Sequence, residues 1–344
     1  MSIQLFEIQY GAFGRCVKLT NGLVDVVVTV DCGPRIIRYG FTDRENMLCE
    51  AADQTGPNGW RIWGGHRLWH SPEQNPRTYE QDNTPVKWER IEGGIRTIQD
   101  MEPWTMMAKE MDIMLDDETS EVNIIHRIRN EGAWAAELAI WALTVMAPGG
   151  KEVVPMTQRA DGMVNNRVMS LWPYTKMNDP RVWWGDRYIT LKQDPACKQP
   201  FKFGINNEYG WAAYFNCNQV FIKQYMHEID EKYPDGGSSY ETYTTDFMLE
   251  METLSPLLKV EPGEEIDHME SWYLVDDVAA PENDDASIHE VMDDLLGDCC
   301  ECEDCDGDCS CDGDCCCGEC GCEDDEECYD EDDEEYEDEE EEDK

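Results

Sequence analysis

The stretch Lys109-Glu-Met-Asp-Ile-Met-Leu115 alternates in part between polar and apolar residues and stops at Asp116-Asp-Glu-Thr-Ser120. Val122-Asn-Ile-Ile-His-Arg-Ile128 resumes the pattern at hairpin distance. The unit strand, turn, strand recurs on both sides of it. Upstream, Glu89-Arg-Ile-Glu-Gly-Gly-Ile-Arg-Thr-Ile98 reads as a hairpin turning at Gly93-Gly94, and Val24–Val30 is a β-branched run. Downstream, strands are expected at Trp211–Asn216, Gln219–Met226, Thr244–Thr253 and Ile266–Val275. No part of this body shows long helical periodicity. Strand after strand with short turns predicts an all-β, antiparallel sandwich or barrel, taken as one domain over residues 1–280.

Two segments interrupt the strands. Residues 51–85 and 155–185 are rich in Gly, Pro, Asn and Trp and read as long, ordered loops, which in compact domains are usually functional. Residues 281–297 form a linker and a short helix. Ser287-Ile-His-Glu290 has capping-box spacing, Ile288, Val291, Met292, Leu295 and Leu296 share a face, and Gly297 ends the pattern. Residues 298–344 are expected to form a disordered, acidic, cysteine-dense tail, with too little apolar surface for a core.

Charge narrows the partners. The formal net charge is −49, with 27 acids and one lysine from residue 298 onward and 49 acids against 26 bases before it. Such surfaces repel nucleic acid and anionic membranes; they suit a small neutral ligand, a cation or a basic partner. The start of the chain lacks the pattern of a signal peptide, and no apolar window reaches membrane-spanning length. Cys16, Cys32, Cys49, Cys197 and Cys217 are scattered without paired spacing. A cytoplasmic location is therefore expected.

The densest candidate site is Gly64-Gly-His-Arg-Leu-Trp-His-Ser-Pro-Glu73. Its glycines would let backbone approach a ligand. His66, Arg67, His70 and Glu73 offer acid–base groups and a fixed cation, while Trp60, Trp63 and Trp69 supply flat faces on which sugars stack. The alternative is a packed loop with incidental polar residues. His66 and His70 are four residues apart and with Glu73 could form a metal set on a helix, but Pro72 argues against the helix. A second candidate is Leu249-Glu-Met-Glu-Thr-Leu254. Glu250 and Glu252 share one face of a strand, either solvated or lining a polar cavity where burial would raise a carboxyl pKa toward that of a general base.

These segments, with Val122–Gly150 and the Glu261-Pro-Gly-Glu264 turn followed by Trp272, resemble the galactose-mutarotase-like (aldose 1-epimerase-like) β-supersandwich proteins, within them an uncharacterised bacterial branch. The resemblance covers residues 1 to about 276. It implies a large antiparallel supersandwich, carbohydrate recognition, and a histidine and a glutamate that open and close a sugar ring. Glu252, or Glu250 beside it, matches the family's glutamate. Trp141 stands where the family's histidine would be, so His66 or His70 is expected to supply the acid, with His66 and Glu252 as the catalytic pair. Arg67, Trp69, His70, Glu73, Trp141 and Glu250 are the expected substrate-binding residues. The body needs no cofactor on this view. A module that binds sugar without turnover is the alternative.

The tail carries twelve cysteines. Cys299, Cys300, Cys302 and Cys305, then Cys309 and Cys311, then Cys315, Cys316, Cys317, Cys320 and Cys322 make C-x-C and C-x-x-C spacings that resemble metallothionein in spacing alone. Several thiolates can wrap Zn(II) or Cu(I), although acids stand where metallothioneins interleave lysines. A metal buffer carried by the sandwich is thus a further reading; a solubilising tail is the plain one.

Overall fold

The computed structural model describes residues 2–56, 59–160 and 162–297. Two antiparallel sheets face each other, one of twelve strands and one of ten. The centre of the larger runs Arg35–Phe41, Arg61–Ser71, Ala136–Met146, Leu249–Leu254, Tyr240–Thr244 and Phe201–Ile205 in hydrogen-bonded order. The centre of the smaller runs Lys151–Pro155, Trp211–Asn216, Gln219–Tyr225, Glu265–Asp276, Val122–Asn130 and Met107–Leu115. Val, Ile, Leu, Met and Phe side chains from the facing sides fill the space between, among them Ile124, Ile128, Ile140, Phe201, Phe221 and Met251. The all-β supersandwich expected from the sequence is the observed architecture.

The opening hairpin folds as read, Val122–Leu115 to Asn130–Met107 in continuous antiparallel register. The Gly93-Gly94 turn joins Lys87–Ile91 to Gly94–Ile98. The expected loop over 51–85 is corrected. Glu50–Thr55 and Arg61–Ser71 are strands, and the latter is the centre of the large sheet. Gly64 and Gly65 have φ of 85° and 65°, and a Cβ on either would lie 2.0 Å from the Cys49 carbonyl oxygen or 2.2 Å from that of Ile36. Their bareness admits neighbouring strands, not a ligand. The 155–185 segment likewise contains the short strands Met169–Leu171 and Val182–Trp184.

The helix spans Asp285–Leu296. Its cap is Asp284, whose Oδ1 accepts the Ser287 N–H at 2.9 Å, so the expected cap at Ser287 shifts three residues earlier. Met1–His289 is the first compact unit of the chain. Among the described residues no helix is long and apolar enough to cross a membrane. Because the first unit holds its own core, removing residues 298–344 is expected to leave its thermal midpoint in metal-free buffer unchanged within about 2 °C; a drop beyond the roughly 2–4 °C that 1 kcal/mol produces in a domain this size would show that the tail contributes to the fold.

Candidate functional site

Strand alternation divides the Arg61–Ser71 strand into two chemistries. His66, Leu68 and His70 turn toward the smaller sheet, while Arg67 and Trp69 turn to the outer, concave face of the larger one. On that face the neighbouring strands add Trp141 and Leu143, Glu250 and Glu252, Tyr243, and Lys202. Trp60, Tyr79, Trp172, Tyr174 and Phe247 wall a cavity of about 470 Å³. Trp69 anchors the aromatic wall, its ring centroid 5.8 Å from Trp60, 5.3 Å from Tyr79 and 5.5 Å from Trp141.

Charged groups are fixed within this wall. Arg67 stacks on Trp69 with its guanidinium carbon 4.3 Å from the ring centroid and donates to Glu250 Oε1 at 3.0 Å. Its Nε and Nη1 are buried without a partner. Glu252 Oε2 accepts from Trp141 Nε1 at 2.9 Å and from Lys202 Nζ at 2.8 Å, while Oε1 is buried and unpartnered. Lys202 Nζ also lies 2.7 Å from Glu241 Oε2. Glu241 and Glu252 are cross-strand partners, a pairing of like charges that the ammonium between them compensates. Burial pushes both carboxyls above the usual range, Glu241 well above it, and Lys202 pulls both back. Burial works against the Lys202 ammonium, but Glu241 and Glu252 outweigh it and hold its pKa well above the ordinary value.

The inner face holds a separate polar network between the sheets. His66 Nε2 meets His126 Nε2 at 2.7 Å. His126 Nδ1 faces the His268 carbonyl at 2.9 Å and must donate to it, so its Nε2 accepts. His66 then donates from Nε2 and accepts from Thr144 at Nδ1, 2.8 Å away. Glu270 accepts from Lys223 at 2.9 Å, from Trp272 Nε1 at 2.8 Å and from Thr253. His66, His126 and Glu270 are close enough to hold a metal ion. With both histidines neutral, however, the ring nitrogens and the Glu270 carboxylate already have partners, and Lys223 supplies the charge that Glu270 needs.

Among the sequence candidates, Arg67, Trp69, Glu73, Trp141, Glu250 and Glu252 meet around the outer cavity. His66 and His70 do not. His66 lies behind the sheet in the network above, and His70 Nε2 sits 3.7 Å from Glu102. The expected pairing of His66 with Glu252 across one cleft is therefore corrected: the sheet separates them. The His66, His70 and Glu73 metal set is corrected too, since four residues of strand span about 13 Å; Glu73 instead accepts from the Tyr79 hydroxyl at 2.5 Å. Lys202, Glu241, Trp172 and Tyr243 were not foreseen. Lys202 lies in Phe201-Lys-Phe-Gly-Ile205, where a lysine flanked by phenylalanines in a buried strand was the available signal. The tail cysteines lie outside the described residues.

No protein-family model matches the chain. No curated protein matches it. Solved structures do. A candidate aldose 1-epimerase from Klebsiella pneumoniae superposes with a TM-score of 0.57 at 12% identity, covering 86% of this chain and 88% of its own. A galactose mutarotase-like protein from Lactobacillus casei gives 0.51 at 9% identity, over 76% of this chain and 100% of its own. A TPR-domain containing protein from Parabacteroides distasonis gives 0.55 at 14% identity over 77% of this chain, which spans only 48% of that longer protein. The body thus has the galactose-mutarotase-like fold. At these identities the likeness is one of fold.

Proposed function

We propose that the concave pocket of the large sheet binds an aldose and interconverts its anomers, with Glu252 as the base. The observation that carries this is Glu252 itself, held through one oxygen and buried without a partner at the other, in the lining of an aromatic-walled cavity of about 470 Å³. A sugar offers apolar ring faces to such walls and hydroxyls to such an oxygen. Arg67, with two unpartnered nitrogens, holds a further hydroxyl. The solved neighbours described as aldose 1-epimerase or mutarotase-like support the same class of ligand.

Glu252→Gln keeps the shape and removes the base. It is expected to abolish anomer exchange, followed by NMR on free aldoses, while binding followed by tryptophan fluorescence stays within about tenfold, because one neutralised hydrogen bond costs on the order of 1 kcal/mol. A wild type that neither exchanges nor binds neutral or acidic sugars would leave the proposal without support. The second reading is sugar binding without turnover. It draws on the absence of histidine among the described residues lining the cavity.

For the tail we propose soft-metal binding, with the cytoplasm as the setting in which its thiols, and the five free cysteines of the body, stay reduced. Reduced full-length chain is expected to take up several Zn(II) or Cu(I) ions that a truncation after residue 297 does not, releasing protons as thiolates form. Less than one tail-dependent ion per chain by elemental analysis would mean a solubilising tail.

A further inference from the structure

We propose that Lys202 is the proton donor of the pocket, acting opposite Glu252 in the opening and closing of the sugar ring; this rests on the aldose reading above. The pocket has a base but, among its described lining residues, no histidine to serve as acid. Lys202 reaches the site from the Phe201–Ile205 strand, two strands away from Glu252. Its Nζ donates to Glu252 Oε2 at 2.8 Å and forms an ion pair with Glu241 Oε2 2.7 Å away. The ammonium carries a further proton and lies against the Trp141 and Trp172 rings, whose centroids are 4.9 and 4.6 Å from Nζ. Both rings line the cavity.

The neighbouring positions of acid and base suit this reaction. Ring opening involves two oxygens on the same carbon. Glu252 Oε1 takes the proton of the anomeric hydroxyl as the C1–O1 double bond forms. The C1–O5 bond breaks, its electron pair stays on O5, and Lys202 gives O5 a proton. The open-chain aldehyde, a protonated Glu252 and a neutral Lys202 result. Rotation about C1–C2 presents the other face of the carbonyl. Return of the same two protons closes the ring as the other anomer, with no oxidant or co-reactant. An ammonium held charged by two carboxylates is a weak acid in water, but the departing ring oxygen is an alkoxide far more basic than an amine, so transfer is downhill. The Glu241 carboxylate meets Lys202 and does not line the cavity, so Glu241 is a positioning residue, keeping Lys202 charged and in place.

The test uses the full-length chain and an aldose that the wild type interconverts. Lys202→Met and Lys202→Arg are expected to lose exchange by about 10²-fold or more, the usual worth of a positioned acid, with sugar affinity by tryptophan fluorescence within about tenfold. Lys202→Ala is expected to recover part of its rate with added ethylammonium, saturably, where the wild type does not respond. Lys202→Met strands two buried carboxylates, so Lys202→Met/Glu241→Gln is made alongside it. Lys202→Arg keeps the charge and by itself decides where the others fail to fold. Exchange by Lys202→Arg within threefold of wild type overturns the assignment of the acid while leaving Glu252 and the pocket as proposed. A wild type that binds sugars without exchanging them also overturns it and leaves the binding reading. A wild type that binds none removes the aldose reading on which both rest.

Discussion

Lys223→Met is expected to lower the unfolding free energy of the body by about 3–5 kcal/mol, the usual cost of removing one partner from a buried ion pair. Lys223 and Glu270 are both 0% exposed and lie between the sheets, with Nζ 2.9 Å from Oε1 and 3.2 Å from the Met251 carbonyl. Burial alone would raise the Glu270 carboxyl; Lys223 is the largest influence opposing it, and the group is held below the carboxylate range. Without the ammonium, Trp272 and Thr253 still donate to Glu270, but its charge has no counterion in the core. Methionine fills the lysine's stem volume, so cavity formation contributes little. The pair differs from its two halves, and Lys223→Met/Glu270→Gln should regain more than half of the loss. Urea midpoints of the three variants, with the slopes compared, measure this. A single-mutant loss under 1 kcal/mol would mean that Glu270 finds another partner or water.

Glu152→Gln is expected to stabilise the body at alkaline pH and to do little in acid. Glu152 is fully buried, accepting from the Tyr240 hydroxyl at 2.6 Å through one oxygen while the other has no partner. Burial pushes its pKa up to about 8 against the ordinary 4.5, although Tyr240 and Thr242 act the other way. A carboxyl raised in the folded state binds its proton more tightly there than in the unfolded chain. Its contribution to stability is therefore greatest below 4.5 and is lost as the pH rises from 4.5 through 8. Each tenfold change in proton affinity is worth about 1.4 kcal/mol, so full ionisation costs on the order of 5 kcal/mol. The glutamine has no proton to lose. The difference in urea midpoint between variant and wild type should grow from pH 5 to pH 9 and level off above the folded pKa of about 8. A pH-independent difference would show that the carboxyl takes its charge without penalty.

The two faces of the chain were unequally legible in its sequence. Hairpins with one solvated side, such as Met107–Leu115 with Val122–Asn130, show the alternation that strands leave in hydrophobicity. Arg61–Ser71 is buried on both sides along nearly its whole length, and its buried positions include His66, Arg67 and His70. A strand covered on both faces and partly polar carries no such alternation, and its glycines suggested a loop. The same double burial hid which candidates share a face. Arg67, Glu250 and Glu252 could be named from residue type and resemblance, but only the register that sets Leu143 against both Arg67 and Glu252 brings them together. Lys202 escaped because its partners Glu241 and Glu252 are distant in sequence, and one lysine among phenylalanines does not announce an ion pair.

The back-to-back arrangement of His66 and Arg67 bears on how such a pocket can change over evolutionary time. Adjacent codons specify groups on opposite sides of one layer, one answering to the packing between sheets and the other to whatever occupies the cavity. Substitutions at 67, 69, 141, 143, 250 and 252 can alter ligand choice while 66, 68, 144, 251 and 253 continue to hold the sandwich. A one-residue insertion within Arg61–Ser71 would exchange the two sets beyond it, carrying a guanidinium into the interior and imidazoles into the cavity. Lineages descended from this scaffold should therefore diversify by alternate-position replacement, with length changes confined to the connections between strands.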